Sequence, residues 1–262
     1  MSVVLSAIDD RGIATVTLNR PQVHNAYDGA VVDGLLDGLE RLAADARVRV
    51  LLLRGNGRHF QAGADLAWLR QVAGMTPEGN RDFSVRTTRA MRALQLFPRP
   101  TIALVHGACF GGGVGLAASC DVVIASEEAR FALTEVKFGV VAAPIIPQLL
   151  KAMGLPQLRR WGLTGEAFDA RRAERMGLVH EVCPTGGLDA AAAPIVDAIL
   201  RAGPEAVAAT KRLTLEVAGQ TIPDALVEQL VDVAARHRAS PEAAEGLASF
   251  LEKRNPAWYA AG

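Results

Sequence analysis

Apolar and polar positions along the chain alternate between two periods. Val3 to Ile8 and Ile13 to Leu18 are short β-branched runs, the second strictly alternating, with Asp9-Asp10-Arg11-Gly12 between them. They predict a hairpin. Asn19-Arg20-Pro21 ends it, because proline cannot sit in a central strand. From Tyr27 to Ala44 the apolar residues Val31, Leu35, Leu36, Leu39 and Leu42 fall at helical spacing, with Asp28 placed as N-cap. Val48 to Arg54 is of strand length and Gly55-Asn56-Gly57 stops it. A short helical turn is expected over Asp65–Val72. A longer helix over Gly79–Phe97 faces Phe83, Met91 and Leu94 inward and ends before Pro98 and Pro100.

The same alternation continues through a strand at Thr101–His106, a glycine loop at Gly107–Gly113 and a helix starting near Val114. Strands at Asp121–Ala125 and Arg130–Leu133 follow. Strands recurring between helices predict an α/β fold. From Pro144 the period turns helical: Ile145–Met153, Pro156–Leu163, Ala170–Met176, Leu188–Ala202, Pro204–Ala218, Ile222–Ala239 and Ala243–Lys253. Residues 1–203 are therefore expected to form a core, with 204–262 a helical region docked on it or on another copy.

Composition narrows the function class. Half of the 262 residues are hydrophobic, and 28 Lys+Arg offset 28 Asp+Glu. A neutral chain is not expected to bind nucleic acid or an anionic membrane through its overall field. Thr101–Ser126 holds His106 and Asp121, and Phe138–Leu150 holds two prolines, so neither reads as a membrane span. Met1 to Arg11 lacks a basic segment followed by an apolar one, so no signal peptide is expected. The three cysteines lack metal spacing and read as thiols of a reducing compartment, cytoplasm or organelle matrix. The five histidines show no ligand spacing, and no metal is expected.

Three stretches could carry chemistry. Gly55 to Leu66 runs from a strand end through small residues into a helix, where free N–H groups suit an oxyanion. His106 to Gly115 repeats that design. It is neither a Walker loop nor a dinucleotide fingerprint. Each also reads as a tight turn or packing contact. Glu135 lies in the apolar stretch Phe131–Gly139, where desolvation would suit it to proton transfer. The alternative is a structural pair with Lys137. No G-x-S-x-G elbow is present. Arg81, Arg86, Arg89 and Arg92 thread one expected helix, either as a solvated face or, through Arg86 and Arg89, as an anion site.

These residues together resemble one family. The matching strings are Leu18-Asn19-Arg20-Pro21 with Asn25-Ala26, Ala62-Gly63-Ala64-Asp65-Leu66, and His106-Gly107-Ala108 with Gly111-Gly112-Gly113. Cys120-Asp121, Phe131 to Glu135, Arg175 to Val179 and Phe250 to Arg254 complete the series. In this order the chain resembles the enoyl-CoA hydratase/isomerase (crotonase) superfamily. The resemblance implies a spiral of repeated ββα units with a C-terminal helical region for trimerisation. It also implies trimers or hexamers, an acyl-CoA thioester substrate, and no cofactor beyond the coenzyme A of that substrate. By similarity, the N–H groups of Ala64 and Gly112 hold the thioester oxygen. Ala62, Asp65 and Leu66 follow the coenzyme, Arg20 and Val23 lie near its phosphates, and Phe250 and Lys253 meet it from a neighbouring subunit.

One departure matters. Standard hydratases of the family carry two glutamates, and here the first position is Gly115, leaving Glu135 alone. Three readings stay open. The string Phe110–Leu116, followed by Phe131–Val136, looks like methylglutaconyl-CoA and isohexenylglutaconyl-CoA hydratases, whose second carboxylate would use Arg86 or Arg89. A Δ3,Δ2-enoyl-CoA isomerase needs a single base. An acyl-CoA-binding protein without catalysis is the third.

Overall fold

A computed structural model describes residues 2–260. Strands β1 (Val4–Ile8) and β2 (Ile13–Leu18) form the expected antiparallel hairpin, Val4 opposite Leu18. Asp9 closes the turn by accepting from the N–H groups of Arg11 and Ile13 at 3.0 and 2.8 Å. Asp28 caps helix α1 (Gly29–Ala43), accepting from Val31 N–H, and the periodic Val31, Leu35, Leu39 and Leu42 are buried.

Strand β3 (Val50–Gly55) adds parallel to β2. Helices α2 (Leu66–Ala73) and α3 (Pro77–Gln95) follow, then β4 (Thr101–Val105), parallel to β3 and buried at all five positions. A strand covered on both faces is apolar throughout rather than alternating. The segment read as a glycine loop contains a further strand, β5 (Ala108–Phe110). Helix α4 (Gly112–Ala118) begins inside the glycine cluster, two residues before its expected start. Next come β6 (Val122–Ser126), β7 (Arg130–Ala132) and α5 (Ile146–Thr164). Gly154, at φ +71°, kinks α5 into the two helical pieces that the sequence predicts. The chain continues through β8 (Phe168–Asp169), α6 (Ala170–Arg175), β9 (Glu181–Cys183) and α7 (Leu188–Arg201). The short β8 and β9 escape a reading by periodicity.

The large sheet runs β1-β2-β3-β4-β6-β9 and is parallel after the hairpin. The small sheet runs β5-β7-β8, and single bridges extend it from Cys109 to Gln61 and join Ala64 to Tyr27. Successive circuits therefore place one strand in the large sheet and one short extended segment beside the previous one. This is the expected crotonase spiral within an α/β fold. One core fills the space between the sheets and α1, α3, α4 and α5, and α7 covers Val50, Ile102, Leu104 and Ile124 on the opposite face.

Helices α8 (Pro204–Val217), α9 (Asp224–Arg238) and α10 (Pro241–Leu251) each bury one residue, Ala209, Leu226 and Ser249. Polar contacts dock α8: Lys211 with Asp121 at 2.7 Å, and Arg99 with Glu205 at 3.2 Å. Among the described residues no helix is long and apolar enough to cross a membrane.

Candidate active site

Two backbone segments meet where the small sheet passes the first helices. Beyond β3, Phe60 N–H donates to His106 O at 2.9 Å and Gln61 N–H to Ala108 O at 3.0 Å; Phe110 N–H donates back to Gln61 O at 2.8 Å. On the other side Tyr27 N–H donates to Gly63 O at 2.9 Å and Asp65 N–H to Tyr27 O at 2.8 Å. Tyr27 thus bonds both neighbours of Ala64, and in a parallel bridge the middle residue turns its own N–H the other way. Among the described residues the Ala64 N–H has no protein acceptor. Asp65 ends the segment as N-cap of α2, accepting from Ala67 and Trp68.

Gly111 sets up the second donor, while its own N–H donates to Ala132 O at 2.8 Å. Its φ of +51° with ψ −119° is open to glycine alone, and it turns β5 into α4. Gly112, the first residue of α4, has an N–H with no acceptor among the described residues, as a helix start must. A side chain there is excluded, since a Cβ on Gly112 would stand 2.6 Å from Tyr27 Cε1.

Glu135 faces these segments from the 3-10 turn Glu135–Phe138 that follows β7. Its Oε1 lies 3.0 Å from where a Gly111 Cβ would stand. Its Oε2 is buried without a hydrogen-bond partner among the described residues. No pair with Lys137 forms; that side chain runs past Gly165. Burial pushes the Glu135 carboxyl above the usual carboxylate range. Tyr27, which the sequence periodicity places only at the start of a helix, lines the same site. Burial and the Glu135 charge push its phenol up to about 12, so it stays protonated.

Ala64, Gly112, Glu135 and Tyr27 line a cavity of 180 Å³. It adjoins a second cavity of 420 Å³, with Tyr27, Leu69, Gly112, Glu135 and Val140 common to both. The second is walled by Leu69, Val72, Phe83 and Met91 and by residues 140–145. Tyr27 and Glu135 are the only titratable side chains lining either cavity among the described residues.

The arginine row does not reach it. Helix α3 presents Asn80, Phe83, Ser84, Thr87, Thr88 and Met91 to the cavity, and its arginines lie on other faces. Arg86 pairs with Asp33 of α1 and Arg89 is exposed. The anion-site expectation is therefore corrected in favour of the solvated face. Arg86→Ala and Arg89→Ala should change turnover of acyl-CoA substrates with and without a second carboxylate equally, within about twofold. A selective loss on the dicarboxylic substrate would refute this.

The Gly115 position is also occupied. A Cβ there would lie 2.1 Å from Ile145 Cγ2 and 2.7 Å from Ile145 Cβ. The buried Ile145 side chain, which lines the larger cavity, takes up the space that a side chain at 115 would need. Neither Tyr27 nor Trp68 fills it: Tyr27 abuts Gly112, and the Trp68 ring packs on Phe83 at 4.0 Å.

The other sequence-predicted residues divide. Ala62 and the exposed Leu66 border the smaller cavity. Arg20 is not free for a phosphate: it pairs with Asp28 at 3.1 Å and Asp65 at 3.2 Å and donates to Ala26 O. Val23 is partly exposed on the neighbouring 3-10 turn. Phe250, 79% exposed, and Lys253 lie at the end of α10 and line neither cavity.

The family model described as "Enoyl-CoA hydratase/isomerase" matches residues 9–261. A Thermus thermophilus protein described as a putative enoyl-CoA hydratase is 36% identical over 93% of this chain and 96% of its own length. The Escherichia coli 2,3-dehydroadipyl-CoA hydratase is 33% identical over 93% and 94%. A crystal structure of an enoyl-CoA hydratase from Shewanella pealeana superposes with a TM-score of 0.93 at 39% identity, covering 98% of this chain and 96% of that one.

Proposed function

The chain belongs to the enoyl-CoA hydratase/isomerase family, and on that premise we propose that it adds water across the double bond of an enoyl-CoA thioester. One observation carries the reading. Among the described residues the only carboxylate lining the cavity has an unpartnered oxygen, and it shares the cavity walls with Ala64 and Gly112, whose N–H groups lack acceptors. Ala64 and Gly112 N–H then donate to the thioester oxygen as it gains enolate charge. Donors fixed in a water-poor site stabilise that charge without reorganisation.

Glu135 suffices for the proton bookkeeping. Its carboxylate takes a proton from water as the water oxygen bonds to Cβ. The π pair moves toward Cα and the thioester oxygen. The protonated Glu135 then returns its proton to Cα, and the carboxylate is restored. Tyr27, held neutral, walls the site without adding charge. The reading needs no cofactor apart from the coenzyme A of the substrate. Ala62, Asp65 and Leu66 border its path, and Phe250 and Lys253 serve it from a neighbouring copy in a trimer or hexamer. Support for a covering copy is the apolar end of α10, where Leu247, Phe250 and Leu251 are exposed.

The acyl group in this reading is uncharged. A second carboxylate, as in a methylglutaconyl group, would enter a cavity with no cation in its lining among the described residues, and an unpaired buried charge is costly. The second reading, a Δ3,Δ2-enoyl-CoA isomerase, is favoured by Ile145, whose side chain excludes a second carboxylate at Gly115. Turnover in H₂¹⁸O of crotonyl-CoA, 3-methylglutaconyl-CoA and trans-3-hexenoyl-CoA, followed by mass spectrometry, tests both. Solvent oxygen in the crotonyl product, with slower turnover of the methylglutaconyl compound, is the expected result. A shifted double bond without solvent oxygen would give the site to the isomerase. Binding without any turnover would leave an acyl-CoA-binding protein.

A further inference from the structure

The five histidines are scattered in sequence, yet the fold gathers three of them behind the two donor segments. His59 Nδ1 accepts from Ala108 N–H at 3.0 Å. The edge of its ring meets His24, with centroids 4.8 Å apart. His106 Nε2 sits 2.9 Å from Gly57 O on the turn just before His59. The turn is closely fitted: Gly107 has φ +56°, and a Cβ there would stand 2.2 Å from Arg58 O and 2.7 Å from His59 Nδ1. His59 lies five residues before Ala64, and Ala108 four residues before Gly112. On the far side of the same strap, His24 O accepts from Ala62 N–H at 3.0 Å.

We propose that His59 is a positioning residue, which fastens the segment ending at Ala64 to the segment ending at Gly112 and does so only as a neutral imidazole. This rests on the reading of those two N–H groups as the thioester site. An amide N–H can be received at Nδ1 only while that nitrogen is unprotonated, with the proton on Nε2. On protonation, Nδ1–H would confront Ala108 N–H, two donors without an acceptor. The surroundings favour the neutral ring. His59 is held below the usual histidine range, first by partial burial and then by the His24, Arg58 and His106 side chains. A histidine lowered in the fold gives stability that is full above its unfolded value and lost as pH falls through and below that value. The strap therefore weakens in mild acid.

His59→Ala should lower kcat about tenfold at pH 7.5 with KM within about twofold, the size of one lost hydrogen bond felt at the donors. His59→Asn, whose Oδ1 can stand where Nδ1 does but does not titrate, should restore kcat. The acid fall of kcat reflects both Glu135 and His59 in the wild type, so in His59→Asn it should flatten to one proton. Amide exchange of the peptide spanning 106–112, corrected for intrinsic pH dependence, should speed up on acidification in the wild type and not in His59→Asn. Identical exchange and identical pH profiles in wild type, His59→Ala and His59→Asn would overturn the proposal. Exchange is read without substrate, so it decides the point even if no thioester turns over and the hydratase reading fails.

Discussion

Glu135→Gln should abolish turnover while raising thermal stability at alkaline pH. The loss in kcat expected for removing a general acid–base group is about 10²–10⁴-fold, with acyl-CoA affinity close to wild type because shape is kept. The stability gain has a definite sign. Burial raises the Glu135 carboxyl above its unfolded value, so its contribution is full below that value and lost as pH rises through the folded one. Once ionised, the half-buried wild-type carboxylate holds a charge whose Oε2 has no partner among the described residues, a cost that grows as pH rises and that the neutral amide does not carry. At pH 4 both side chains are neutral and the difference in Tm should vanish. Thermal unfolding at the two pH values, beside steady-state kinetics, checks this. Retained kcat, or a lower Tm at pH 8, would remove Glu135 from its assigned role. Activity and stability opposed at one carboxylate are what a site with a strained charge predicts.

Gly115→Glu should be strongly destabilising, and Ile145→Ala should partly rescue it. The glutamate Cβ would overlap the Ile145 side chain at 2.1 Å, in a wall that among the described residues has no cation to meet the new charge. Overpacking of this kind costs about 1–3 kcal/mol, and an unpaired buried carboxylate adds to it. Ile145→Ala alone should cost about 2–5 kcal/mol as a cavity. If the two positions compete for one space, the double variant falls short of the sum by about 0.5–3 kcal/mol. Denaturant unfolding of the four proteins gives that coupling directly. Additive costs would show that Ile145 does not stand in the place of a side chain at 115.

Regular patterns made much of the fold legible in sequence. The alternation of Ile13–Leu18 survives as a strand buried at every second residue. The spacing of Val31 to Leu42 survives as the buried face of α1, capped by Asp28. β5 was illegible because Ala108–Phe110 sits among glycines and gains its strand character from pairing with β7. β8 and β9, two and three residues long, are too short to show a period. Tyr27 reads as the start of a helix, and only its bonds to Gly63 and Asp65 bring it to the cavity. Arg86 and Arg89 share a helix face by spacing, but spacing cannot say which face the cavity takes.

Residue by residue, the sequence by itself determined which groups could do chemistry: one acidic side chain in an apolar stretch, two glycine-rich strand ends, and a glycine where a second acid is expected. These are local properties, set by side-chain type and by the backbone freedom of glycine. Tertiary structure decided what each group meets. It left Glu135 without a cation, turned the arginines of α3 away, set Ile145 against Gly115 across thirty residues of chain, and gathered His24, His59 and His106 around one strap. Such encounters depend on how parallel strands stack from one circuit of the spiral to the next. No period in the sequence encodes which side chains of successive circuits will face each other.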